Sequence, residues 1–132
     1  MKHAMSRDKM KRIIVESLPR AGQYSHAVIS GDLVFISGVT GQTTQENSFT
    51  EQFDESVRKI EKILAEASSS ISDVVKVTAY LSDQKFFQEF NRLFNNIFTS
   101  APVRTTIVCG FVNSLVKIEL DVIQYLRSKL SF

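Results

Sequence analysis

The chain has 132 residues, 43% apolar and 23% charged, with five Gly, two Pro and the single Cys109, a composition that excludes collagen-like, linker-like and disulfide-stapled proteins. A domain of this size buries roughly two thirds of the surface its unfolded chain exposes, enough for one core without a metal or a disulfide, and a lone cysteine points to a reducing compartment. Formal net charge is +2, but residues 1–20 hold six Lys or Arg against two acids, so residues 21–132 carry a net −2; the folded body lacks the basic stripe that meets nucleic acid, and no nucleic-acid partner is expected.

In chain order, residues 1–9 are polar and read as a flexible N-terminal segment, leaving 10–132 as a single domain. The apolar run Ile13-Ile14-Val15 is too short for a signal-peptide core, and nothing approaches the ~18 apolar residues of a membrane span. The expected location is the cytoplasm, with no membrane association. Strands are predicted over 12–16, 26–30 and 33–37, where β-branched and aromatic residues concentrate. Ser30-Gly31-Asp32 joins the second and third as an antiparallel hairpin.

A helix follows. Ser48 and Glu51 have the spacing of a capping box, and Phe53, Val57, Ile60, Ile63, Leu64 and Ala67 form an apolar stripe at helical spacing. The run Ser68-Ser69-Ser70 should stop it, because serine hydroxyls compete for backbone hydrogen bonds. After a strand at 74–81, Asp83 is the expected N-cap of a second helix. On that helix Phe86, Phe87, Phe90, Leu93, Phe94, Ile97 and Phe98 make one stripe, read as core packing rather than a ligand-stacking surface. Strands over 104–109 and 116–123 complete an order βββαβαββ, or βββαβαβ if the last two join in one long hairpin. The strand–helix–strand unit predicts a parallel crossover. The fold class is α/β in the α+β sense, a mixed six-stranded sheet with two helices on one face.

Alternation along the last strand sends Val116, Ile118, Leu120 and Val122 toward the helices and Lys117, Glu119 and Asp121 to the other side. On the preceding strand Arg104, Thr106 and Val108 share one side, opposite Thr105, Ile107 and Cys109. Arg104 and Thr106 are assigned with Glu119 to a second sheet face bearing charges and hydroxyls. Val108, with Phe111 and Val112 in the following loop, favours covering of that face by another subunit.

Motif absences narrow the chemistry. The chain has no G-x-x-x-x-G-K-S/T, G-x-G-x-x-G, C-x-x-C or H-E-x-x-H, so nucleotide hydrolysis, dinucleotide redox and zinc hydrolysis lose their usual support. His3, His26 and Cys109 have no metal-ligand spacing; no metal is expected. His26 reads as a hydrogen-bonded or surface residue and Cys109 as a small buried hydrophobe. What remains is Arg104, after Pro102-Val103, with Glu119 on the next strand. A strand-borne guanidinium presents a planar fork matched to a carboxylate. Patterning alone admits either a ligand anchor or a structural Arg104–Glu119 ion pair.

Gly22-Gln23-Tyr24-Ser25, the run Gly31-Asp32-Leu33-Val34-Phe35-Ile36-Ser37-Gly38, Asn91, Ala101-Pro102-Val103-Arg104-Thr105 and Val116-Lys117-Ile118-Glu119 stand in order along the chain. In that order and spacing the sequence resembles the RidA/YjgF family from about Ile13 to Tyr125. The resemblance implies a chorismate-mutase-like fold, a homotrimer with three clefts between subunits, and hydrolytic deamination of reactive 2-enamine or 2-imine acids, such as 2-aminoacrylate and 2-iminopropanoate, to 2-keto acids and ammonia without a cofactor. By the same resemblance Arg104 and Glu119 are the catalytic pair, Tyr24, Ser37, Gly38, Arg104 and Thr106 bind the substrate imine or keto acid, and Asn91 is structural. The chain departs from the family pattern at Thr106, where many deaminases have cysteine, at Gln23 in place of proline, and at Val39 in place of glutamine. Two other functions share this outline: a non-enzymatic regulatory trimer that binds small carboxylates, and an RNA-cleaving translation inhibitor, which the net-negative body disfavours.

Overall fold

A computed structural model describes residues 10–126; the N-terminal segment 1–9 lies outside the described residues. Six strands, β1 (Met10–Ile13), β2 (Ala27–Ser30), β3 (Leu33–Thr40), β4 (Val74–Leu81), β5 (Val103–Val108) and β6 (Ile118–Tyr125), and two helices, α1 (Phe49–Glu66) and α2 (Phe87–Ile97), follow the order βββαβαββ. They form one mixed sheet in the order β1-β2-β3-β6-β4-β5, antiparallel throughout except for the parallel pair β4–β5. The expected fold class is the observed one, with α1 and α2 packed against one sheet face.

The local signals explain why α1 forms where it does. Ser48 accepts the Glu51 N–H while the Glu51 carboxylate accepts the Ser48 N–H, so the capping box is complete. Every residue of the predicted stripe, Phe53 through Ala67, is buried, and each such large side chain contributes about 1.5–3 kcal/mol before chain entropy is counted. The helix ends as Ser68 takes a left-handed φ of 55°, with Ser68 N–H donating to Ala65 O at 3.0 Å and Ser69 N–H to Leu64 O at 2.9 Å. This pair of hydrogen bonds closes the last turn. Gln52, buried inside the helix, donates to Leu115 O at 2.8 Å and accepts from Lys117 N–H at 2.8 Å, which ties α1 to the approach of β6.

Several boundaries differ from the expectations. β1 lies two residues or more earlier than 12–16, because after Ile13 the chain leaves the sheet and Val15 N–H donates instead to His26 Nδ1 at 2.9 Å. β3 runs three residues beyond 37, past a bulge between Ile36 and Val39 that absorbs one extra residue opposite β6. Asp83 caps a short 3-10 turn, Gln84–Phe86, by accepting from Lys85 N–H at 2.8 Å, and α2 begins only at Phe87. β6 starts at Ile118 and ends at Tyr125, two residues later than predicted at both ends. The last two strands make no hairpin: β6 inserts between β3 and β4, leaving β5 at the sheet edge. The β2–β3 hairpin does form across Gly31-Asp32, with Ser30 opposite Leu33 and Gly31 at φ 62°, a conformation glycine adopts without a Cβ penalty.

Candidate active site

Arg104 stands on edge strand β5, opposite Val77 of β4, as Thr106 stands opposite Ala79. Val77 and Ala79 are fully buried on the helix side. Arg104 and Thr106 therefore face the helix layer, not the open face that carries Glu119, and the expectation that they share Glu119's face is corrected. The reason is topological: β5 pairs with β4 alone, so which way its residues point is set by that parallel register and not by alternation on β6. The residues of β5 that share the open face are Val103, Thr105 and Ile107.

At the edge the helix layer only half covers Arg104. Its guanidinium carbon lies 4.7 Å from the ring centre of Phe94, 5.1 Å from Phe90 and 5.8 Å from Phe87, and one N–H donates to Asn91 Oδ1 at 2.9 Å. The stripe on α2 thus does two things. Phe90, Phe94 and Phe98 are buried in the core, whereas Phe87 is 42% exposed and turns toward the arginine. Aromatic faces attract a cation but do not neutralise it. Among the described residues no carboxylate lies within ion-pair distance of Arg104, so a structural Arg104–Glu119 pair is not formed within the protomer.

Glu119 lies on the central strand β6, opposite Thr40 of β3 and Tyr80 of β4. A Cβ on Gly38 would collide with its carboxylate, so the glycine at the β3 bulge is what makes room for the acid. Burial, followed by the negative charge of Asp121, raises the Glu119 carboxyl above the ordinary carboxylate range. Asp121 itself accepts a hydrogen bond from Tyr80 Oη at 3.0 Å. Around these polar groups the open face exposes Leu33, Phe35, Val75, Ile107 and Tyr125. That much apolar side chain on one sheet face fits a partner subunit better than bulk water.

Tyr24, Ser37 and Gly38 come together at a third place, lining a pocket of about 210 Å³ between the segment preceding β2, the β3 bulge and α1. Tyr24 Oη accepts from Ala21 N–H at 3.1 Å, and Ser37 Oγ donates to Ser25 O at 2.7 Å. His26 holds this segment in place: its Nδ1 accepts from Val15 N–H, which leaves Nε2–H to donate to Pro19 O at 3.2 Å. It is buried in that arrangement, a structural residue. Cys109 is half-buried rather than fully enclosed, at the end of β5. The pocket also includes Lys59 and Gln42, which carry no motif and were not singled out by sequence; Lys59 lies on what periodicity marks as the polar side of α1.

The predicted residues therefore fall into two groups. Tyr24, Ser37, Gly38 and Glu119 gather around the β3 bulge, and Arg104 and Thr106 sit together on β5. β3 and β5 are three strand spacings apart in the sheet order, about 14 Å, and the two groups do not meet within one protomer.

The family profile described as Endoribonuclease L-PSP matches residues 15–126. A RutC family protein of Pyrococcus abyssi is 33% identical over 121 residues, covering 86% of this chain and 94% of its own. The Arabidopsis thaliana protein named Reactive Intermediate Deaminase A, chloroplastic, is 30% identical over 129 residues, 91% of this chain and 69% of its own. Among solved structures, that of yeast Mmf1 superposes with a TM-score of 0.81 at 27% identity, covering 89% of this chain and 99% of the other. With this sheet order, this pair of helices and these matches, the chain belongs to the RidA/YjgF family.

Proposed function

We propose that the protein hydrolyses 2-enamine and 2-imine acids to 2-keto acids and ammonia, in clefts that form between protomers of a trimer. The observation that carries this reading is the state of Arg104: a half-buried guanidinium held by three aromatic rings and Asn91, with no carboxylate partner among the described residues. Such a group is set to receive an acid from outside the chain. The exposed apolar sheet face supports assembly, and the name of the Arabidopsis relative supports the reaction class.

In the mechanism, Arg104 grips the substrate carboxylate through two N–H groups and fixes the imine carbon. Glu119 of a neighbouring protomer completes the cleft. Its raised pKa lets the protonated carboxyl give a proton to the imine nitrogen as water adds to carbon, and one proton of that water passes to the same nitrogen, so that the carbinolamine carries a hydroxyl and an ammonium leaving group. The carboxylate then takes a proton from the new hydroxyl as the C–N bond breaks and ammonia leaves, and the carbonyl of the keto acid forms. Tyr24, Ser37, Gly38 and Thr106 line the cleft. A protonated imine is already electrophilic, so the reaction as written uses no metal or organic cofactor, and the acceleration asked of the site is modest beside most enzymes.

The test is keto-acid release from freshly generated 2-aminoacrylate. Release faster than the spontaneous rate is the expected result; a rate equal to the spontaneous one, with the keto acid still bound, would leave a carboxylate-binding trimer in its place. RNA cutting by the purified protein would favour the activity named in the family description.

A further inference from the structure

Among the described residues, Lys59 is the one lysine or arginine that lines the Tyr24–Ser37–Gly38 pocket, and the reaction above leaves it unused. Its ammonium is half-buried on α1 and donates one hydrogen bond, to Thr40 O at 2.9 Å. An ammonium has three donors, and no other partner for Lys59 is present among the described residues. The nearest acid in sequence, Glu55, is committed to Arg58 by two hydrogen bonds at 2.9 and 2.6 Å. No carboxylate is within ion-pair distance of Lys59 among the described residues. Glu55 still attracts Lys59 at longer range, but a partly desolvated ammonium with no carboxylate in contact is unfavourable unless something supplies one. Gln42 also lines the pocket, and its Oε1 is buried with no hydrogen-bond partner, so the ammonium of Lys59 keeps unused donors that a ligand can complete.

The pocket is placed to receive part of the substrate. Gly38 belongs both to its wall and to the contact with Glu119, so the acid proposed to act on the imine and the Lys59 pocket adjoin across one backbone segment. Arg104 is not part of this wall; in the trimer proposed above a neighbouring protomer supplies it, so that one ligand meets two separate cations. We infer that the pocket takes the side chain of the imine acid and that Lys59 selects an anionic one, so that imines of dicarboxylic amino acids are preferred over imines with apolar side chains. This inference rests on the hydrolytic reading above. Charge sets the selection and the pocket volume of about 210 Å³ sets the length; a side chain of one or two methylenes and a carboxylate fits that space.

The experiment uses the full chain and two imines generated in place from amino acids by an oxidase, 2-iminosuccinate from aspartate and the imine from leucine, with keto-acid release read above the spontaneous rate. The wild type should favour 2-iminosuccinate. In Lys59→Met, which keeps the stem and removes the charge, the ratio of kcat/KM for the two imines should fall about tenfold, through KM, and Lys59→Arg should restore part of it. An unchanged ratio in Lys59→Met, an equal loss on both imines, or a wild-type preference for the leucine imine would overturn the assignment of Lys59 while leaving imine hydrolysis standing. Failure of the wild type to accelerate either imine would overturn the hydrolytic reading and this inference with it.

Discussion

Arg104 and Glu119 carry opposite charges, lie fifteen positions apart in the chain and occupy opposite faces of the same sheet. The arginine is at the edge, with its contacts made entirely inside the protomer: the rings of Phe87, Phe90 and Phe94 and the amide of Asn91. The glutamate is at the centre, on a face that this protomer leaves open, in a space cleared by Gly38 and beside the like charge of Asp121. One group is held by side chains packed around it; the other is already half-buried and beside a like charge within the protomer, on a face open to a partner. The contrast teaches that the two groups do not meet within one protomer; on the function proposed above, each is one half of a site that a second protomer completes.

The largest effect should come from breaking the edge half. Arg104→Ala removes the anchor and should lower kcat/KM for imine hydrolysis by roughly 10²–10³-fold, measured by keto-acid release, with the oligomer retained in size-exclusion chromatography. Persistence of the full rate would separate Arg104 from substrate binding. A smaller effect is expected at the central half. Gly38→Ala drives a Cβ into the Glu119 carboxylate; the acid must move, with a loss of about tenfold in kcat/KM, while chemical denaturation should change little because the clashing atoms are the movable end of a side chain. Because Gly38 is far from Arg104 in the sheet, affinity for a keto acid should change less than turnover.

The smallest effect is the pH dependence of stability. Glu119 holds its proton more tightly when folded than when unfolded, so its contribution to stability is fully present below the ordinary carboxylate value of 4.5 and is lost as pH rises through the higher folded value. Thermal unfolding across pH 4 to 8 should therefore show the wild type losing ground to Glu119→Gln as pH rises, with the glutamine variant the more stable at neutral pH. The opposite trend would mean that the carboxylate is stabilised by a cation from the partner surface.

Much of the fold was legible because its signals are local. The capping box of Ser48 and Glu51, the stripe from Phe53 to Ala67 and the Gly31 turn each act within a few residues, and each appears where the pattern placed it. The insertion of β6 between β3 and β4 joins segments far apart in sequence, and no periodicity reports it. That pairing, with the parallel register of β4 and β5, decides which face Arg104 takes, which is why alternation alone put it beside Glu119. The phenylalanines of α2 were legible as core but not as the cradle of an arginine, since the contact depends on Arg104 reaching the same sheet edge. Lys59 carried no signal at all: on a helix, a lysine between apolar positions reads as a solvated residue until the neighbouring segment folds over it.

The claim that the site is completed across two protomers is tested most directly by mixing two defective chains. Arg104→Ala and Glu119→Gln, each inactive alone, are unfolded together in equal amounts and reassembled. If each cleft takes its arginine from one protomer and its glutamate from the next, every mixed trimer regains one working cleft, and activity should return to about a quarter of the wild-type value. No recovery from demonstrably mixed trimers would place both groups in the same protomer's site and contradict the account.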